Sequence, residues 1–171
     1  MKLKESNGLQ NEDELKWYAK FSIDLGVRKY LEIGTNGGNT MYAILANSPY
    51  GSLGVSIDVN SNIFNTVKEE LKDLGYLIHT LEGDSKDVSI IQEAKVRSPY
   101  DLVFIDGDHS YTGVKSDWSN YGSLAPVIVF HDTGSETNQP DVHKFWQELK
   151  QGKRCLEYNL ANTHGYGVIY N

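Results

Sequence analysis

Apolar and polar positions along this chain switch repeatedly between two periods. Residues 11–25 carry Leu15, Tyr18 and Phe21 or Ser22 at helical spacing, with Gly26 placed to end a helix. Residues 29–33 become a short apolar run and read as a strand, 39–47 as a helix, and 51–58 as a second strand. "SNIFNTVKEELKDLG" (61–75) predicts the clearest helix. Phe64, Val67, Leu71 and Leu74 share a face, Ser61 or Asn62 can cap it, and Gly75 stops it. A strand at 76–81, a helix at 86–97, a strand at 100–106 and a helix at 111–122 follow. The chain continues with a strand at 126–132 and a helix at 140–152 that has Pro140 near its start. "RCLEYN" and "GYGVIYN" read as two last strands, and with no helix between them they are predicted to be antiparallel neighbours.

This alternation predicts an α/β fold: a Rossmann-like, doubly wound, mostly parallel seven-stranded sheet with an antiparallel C-terminal strand and helices on both faces. The run at 100–106 is apolar almost throughout, as expected of a strand covered on both sides. At 171 residues the chain reads as one domain, 1–171, with a full core. Its 39% hydrophobic and 23% charged residues are ordinary for a globular protein. A net charge of −7 and the absence of any Lys/Arg block argue against nucleic acid or an anionic membrane as partner. Cys155 is the single cysteine, so neither an internal disulfide nor a CxxC zinc site is available. "MKLKESNGLQ" has no apolar leader region, which predicts a cytoplasmic protein.

In such sheets ligands bind beyond the carboxyl ends of the strands. There this chain places "EIGTNGGNT", with Gly34, Gly37 and Gly38 between a strand and a helix. Glycines let the backbone turn tightly and approach a ligand, and the next helix offers free N–H groups. A dinucleotide fingerprint needs G-x-G-x-x-G, but Asn36 stands at the second glycine position. What remains is Glu32, Gly34, Gly38 and Thr40, which also suits an ordinary tight turn. Asp58 closes the second strand 24 positions after Gly34, where an acid can accept both ribose hydroxyls or simply form a turn. "EGDS" closes the third, so Asp84 and Ser85 are ligand groups or a helix cap. "FIDGDHSY" and "FHDT" close the fourth and fifth, bringing Asp106, Asp108, His109, His131 and Asp132 to one edge. Carboxylates gathered in this way need a cation or a proton between them. Turn and loop roles for Asp108 and Asp132, and a structural histidine at 109, are the plainer alternatives.

Four motifs in order at four strand ends resemble the class I S-adenosylmethionine-dependent methyltransferases. "FIDGDHSY" with "FHD" is similar to the branch of macrocin- and novobiocin-type O-methyltransferases and cephalosporin-hydroxylase-like proteins. The resemblance covers about residues 27–133. It implies S-adenosyl-L-methionine as cofactor, held by Glu32, Gly34, Thr35, Asn36, Gly38, Thr40, Asp58, Val59, Asp84, Ser85 and Asp106. It also implies O-methylation of a small polar hydroxyl compound, a sugar or natural product, with His109, Asp106 and His131 as catalytic groups. In metal-dependent relatives, acids matching Asp106 and Asp132 hold a divalent cation (Mg²⁺ or Mn²⁺), with a further acid where this chain has His131. An imidazole there suits softer metals, which favours His109 acting alone as general base. A nicotinamide-dependent oxidoreductase on the same fold and a non-catalytic nucleoside-binding protein are the competing readings. His79 and His143 read as structural, His164 has no assigned chemistry, Trp118 and Trp146 read as core, and Tyr111 and Trp17 could reach a pocket mouth. Substrate-covering insertions are nearly absent, so the pocket is either open or covered by a second subunit of a homo-oligomer.

Overall fold

A computed structural model describes residues 1–3, 11–161 and 163–171. The stretch 4–10, part of the N-terminus read above for a leader, lies outside them. Seven strands of the described residues form one sheet: β1 (Lys29–Ile33), β2 (Leu53–Asp58), β3 (Leu77–Glu82), β4 (Leu102–Ile105), β5 (Val127–His131), β6 (Cys155–Tyr158) and β7 (Tyr166–Tyr170). Their order is β3-β2-β1-β4-β5-β7-β6. The first five are parallel, and β7 runs antiparallel to both β5 and β6. The strand order reverses between β1 and β4, which leaves a crevice at their carboxyl ends.

Among the described residues six helices cover the sheet: α1 (Glu12–Leu25), α2 (Asn39–Leu45), α3 (Asn65–Asp73), α4 (Val88–Val96), α5 (Tyr111–Tyr121) and α6 (Pro140–Leu149). Side-chain alternation along the strands splits the core into two layers. Leu31, Ile33, Val55, Ile57, Val103 and Ile105 pack with residues of α4, α5 and α6. Tyr30, Phe104, Val129 and Val168 pack on the other face with Tyr18 of α1, Met41 of α2 and Val67 of α3. Trp146 is fully buried and Trp118 packs against the same layer, as core residues should. No helix among the described residues is long and apolar enough to cross a membrane.

Local signals set most helix ends. The Asn11 side chain accepts from the amides of Asp13 and Glu14, and Gly26 caps the other end of α1 at φ 68°. The predicted helix at 61–75 is instead a 3₁₀ turn, Ser61–Phe64, followed by α3. Neither Ser61 nor Asn62 is the cap: the Asn60 side chain accepts from the Asn62 amide. Phe64, Val67 and Leu71 are buried as expected, but α3 ends at Asp73 and Leu74 is 39% exposed. Gly75, at φ 89°, turns the chain away before Leu74 can join the apolar face.

Candidate functional site

A cleft of about 330 Å³ opens at the carboxyl ends of β1 to β4. Gly34, Asp58, Val59, Asp84, Ser85 and Gly107 are among the residues that line it. Gly34 adopts φ 84°, and a Cβ there would stand 2.0 Å from the carbonyl oxygen of Asp106. The glycine thus lets the ends of β1 and β4 press together under the cleft, joined by the Asp106 amide donating to the Ile33 carbonyl at 2.9 Å. Asn36, at φ 47°, donates its amide to Asp58 Oδ2 at 2.7 Å, and the Asn60 amide reaches Asp58 Oδ1 at 2.9 Å. The glycine loop and the acid of β2 are therefore one hydrogen-bonded unit. Asp84 Oδ1 accepts from the Lys86 amide at 2.9 Å, while α4 takes Asp87 as its N-cap. Neither Asp84 nor Ser85 serves as the helix cap, which leaves both available to the cleft.

Several residues named with the motif do not line this cleft. Glu32, Thr35 and Thr40 are all buried away from it. Glu32 is held well above the usual carboxylate range by burial, with Oε2 unpartnered. Gly38 also lies off the cleft: at φ 82°, a Cβ there would meet the Phe64 ring at 2.3 Å. Its lack of a side chain serves the packing of α2 on the turn before α3 rather than close approach to a ligand. Trp17 stacks on Tyr158 at 4.4 Å and Tyr111 bonds Glu148, so neither reaches the cleft mouth.

Beside the cleft, β4 and β5 bring four of the five expected side chains together. His109 Nε2 lies 3.2 Å from Asp106 Oδ1 and 3.2 Å from Asp132 Oδ2. On the other side, His131 Nδ1 lies 3.4 Å from Asp106 Oδ1 and 3.5 Å from Asp132 Oδ2. Asp132 takes φ 60°, unusual for a residue with a side chain. Asp108 does not join the cluster. Its carboxylate accepts from Lys86 Nζ at 2.9 Å and from the Ser110 amide, and the lysine hydrogen bond lowers its pKa to about 2. A nearby ammonium satisfies this exposed acid better than two buried like charges would.

Sequence reasoning missed three members of the network. His164 Nδ1 lies 2.7 Å from Asp132 Oδ1, and Thr137 donates to the same oxygen at 2.8 Å, anchoring the 133–139 loop. Glu14 of α1, fully buried, places Oε2 3.9 Å from His131 Nε2 and accepts the Gly165 amide on Oε1. A signal for Glu14 existed, since it stands four residues before Tyr18 on the apolar stripe of α1. His143 is structural as read: its Nδ1 meets the Thr133 carbonyl at 2.8 Å.

The electrostatics follow from this alternation of acids and imidazoles. Hydrogen bonds to Asp106 and Asp132 raise His109 to about 10. Burial disfavours charge on His131, but the same two carboxylates outweigh it and lift its pKa well above the ordinary value. Burial likewise raises Asp106 and Asp132, and the two histidines reverse this and hold both acids low. His109 therefore contributes stability that is full below pH ~6.5 and is lost as pH rises toward ~10, and His131, raised in the same direction, adds to it. In metal-free protein the melting temperature should fall across that window, and His109→Gln should flatten part of the fall. A melting temperature flat from pH 6.5 to 10 in the parent would show that the imidazoles are neutral.

Asp106, His109 and Asp132 each offer one ligand atom, and these atoms lie within 4.8 Å of one another. Two carboxylates and an imidazole fit a divalent cation, and the nitrogen suits Mn²⁺, Fe²⁺ or Zn²⁺ better than Mg²⁺.

A family model described as a methyltransferase domain matches residues 31–133, from β1 through the end of β5. This chain belongs to that methyltransferase family. The match takes in the glycine loop, the strand-end acids and the histidine cluster. The fold is that of class I S-adenosylmethionine-dependent methyltransferases, with three similar crystal structures at 16%, 16% and 16% sequence identity. One is the O-methyltransferase TomG of Streptomyces achromogenes in complex with S-adenosylmethionine (TM-score 0.71, 94% of this chain and 80% of that one). Another is an O-methyltransferase of Bacillus cereus in complex with S-adenosylhomocysteine (0.72, 97% and 84%). The third is the methyltransferase PaMTH1 of Podospora anserina, bound to S-adenosylhomocysteine (0.70, 95% and 79%). A curated relative, the uncharacterized protein y4gI of Sinorhizobium fredii, is 36% identical over 76 residues. That match covers 43% of this methyltransferase chain and 8% of the relative, so the chain spans a small part of that protein's length.

Proposed function

We propose that this protein transfers a methyl group from S-adenosylmethionine to a hydroxyl of a small polar molecule, such as a sugar or natural product. The observation that carries the reading is the placement of the cleft, with Asp58, Asp84 and Ser85 at its edge, against the Asp106–His109–His131–Asp132 cluster. S-Adenosylmethionine supplies a methyl group already activated on sulfur. Asp58, oriented by two backbone amides, accepts the ribose hydroxyls. Asp84 and Ser85 face the adenine, and Gly34 lets the chain pass close beneath.

The cluster lies where Asp106 passes from the cleft floor toward β5 and would meet the acceptor hydroxyl. The ion-paired network changes the role expected of His109. An imidazolium held between two carboxylates has no lone pair with which to take the substrate proton. Asp106, His109 and Asp132 would instead hold a divalent cation, which would displace the His109 proton on binding and would lower the pKa of a hydroxyl bound to it. His131, backed by Glu14, keeps the two carboxylates facing each other.

The test is calorimetry with S-adenosylhomocysteine. Asp58→Ala should weaken binding by about 1–3 kcal/mol, roughly 5- to 150-fold, through loss of a charge-assisted acceptor. Unchanged affinity would remove Asp58 from the site. Absence of binding by the parent, or copurification of a nicotinamide nucleotide instead, would overturn the reading. Asn36 in place of the second fingerprint glycine speaks against the nicotinamide alternative.

A further inference from the structure

Ser85 is held from behind by a residue that none of the strand-end motifs contains. Its Oγ donates to Asp117 Oδ1 at 2.6 Å, and its carbonyl accepts from Tyr121 Oη at 2.6 Å. Asp117 lies on α5 and is fully buried. Its other oxygen, Oδ2, has no hydrogen-bond partner and lies 3.3 Å from where a Cβ on Gly107 would stand. Ser85 and Gly107 both line the cleft, so the carboxylate sits directly behind its wall. Burial raises the Asp117 pKa to about 6. The surrounding layer, with Val114 and Tyr121, is apolar, so a carboxylate buried there carries a desolvation cost. An ionisable group kept there at a cost calls for a role.

That role follows from hydrogen-bond polarity. Above its titration the carboxylate only accepts, so it claims the single proton of the Ser85 hydroxyl. The serine oxygen is then left to the cleft as an acceptor. Adenine presents an amino donor at C6, whereas hypoxanthine presents a carbonyl acceptor at the same position. We infer that Asp117 is a positioning residue that fixes the Ser85 hydroxyl as an acceptor and so makes the cleft select a 6-amino purine nucleoside over its 6-oxo counterpart. The inference rests on the reading of the cleft as the S-adenosylmethionine site.

Affinities for S-adenosylhomocysteine and S-inosylhomocysteine, measured by calorimetry at pH 8, give the test. The parent should prefer the adenosyl compound by roughly 10- to 100-fold, since the oxo base leaves a buried acceptor facing an acceptor. In Asp117→Asn the side-chain amide can donate to the serine oxygen, freeing the hydroxyl proton to turn toward the base. The preference should fall about 5- to 10-fold, with Asp84 supplying what remains, while adenosyl affinity changes little. Ser85→Ala should reduce the preference by the same factor, and adding Asp117→Asn to it should change nothing further. An unaltered preference in either single variant would overturn the role of Asp117. Failure of the parent to bind either compound would instead strike the assignment of the cleft.

Discussion

Gly34→Ala is expected to destabilise the protein by roughly 3–5 kcal/mol, at the upper end for a single substitution. The new Cβ would lie 2.0 Å from the carbonyl oxygen of Asp106, 2.6 Å from its carbon and 2.8 Å from Gly107 Cα. All three are backbone atoms in or next to a central strand, so no side chain can swing aside to relieve the overlap. The residue also sits at φ 84°, where any side chain adds about 1–2 kcal/mol of strain. Relief requires prising β1 from β4, which would break the bond from the Asp106 amide to Ile33 and distort the cleft floor. Denaturant unfolding monitored by circular dichroism measures the loss. Gly37→Ala is the matched control, because no atom lies within 4 Å of its added Cβ and its φ is not positive. Equal midpoints for the two variants would mean that the β1–β4 junction is looser than its geometry states.

Asp132→Asn is expected to lower methyl transfer by at least about 10²-fold and to leave S-adenosylhomocysteine affinity within a few-fold. The carboxylate faces His109, His131 and His164 at once, and it does not line the cleft. Its amide replacement carries no charge and offers a single acceptor oxygen to three imidazoles. A chelator should produce the same loss in the parent, and added Mn²⁺ or Zn²⁺ should restore it. Activity that survives chelation would return the proton-acceptor role to His109. It would require a neutral imidazole between Asp106 and Asp132, visible as a rate that climbs on the alkaline side. Melting curves of Asp132→Asn separate lost chemistry from a lost fold, since removing one acid from among charged histidines also costs stability.

The fold and the strand-end residues that line the cleft were readable in one dimension because they depend on local rules. Periodicity switching between two and 3.6 residues located the strands and helices. A strand-to-helix glycine loop followed by acids at successive strand ends has a consequence in any parallel sheet: those ends lie side by side. The structure departs from the local reading where a motif position has two physical uses. Gly38 reads like a ligand-facing glycine, yet the ring it spares is Phe64, brought against it by the packing of the next turn. Asp108 reads like a partner of Asp106, but Lys86, 22 residues away, neutralises it first.

The residues that set the character of the acid–histidine cluster were beyond local reading. Glu14 meets Gly165 across 151 positions, His164 meets Asp132 across 32, and Ser85 meets Asp117 across 32. Nothing in the spacing of these residues announces a partner, because the distance between them closes only when β7 inserts beside β5 and α5 packs behind β4. The sequence by itself determined which side chains end the strands, through backbone propensity and apolar periodicity. Only the tertiary structure decided their charge, since whether His109 and His131 carry protons depends on which carboxylates the sheet brings within reach, and on how little water is left to compete with them.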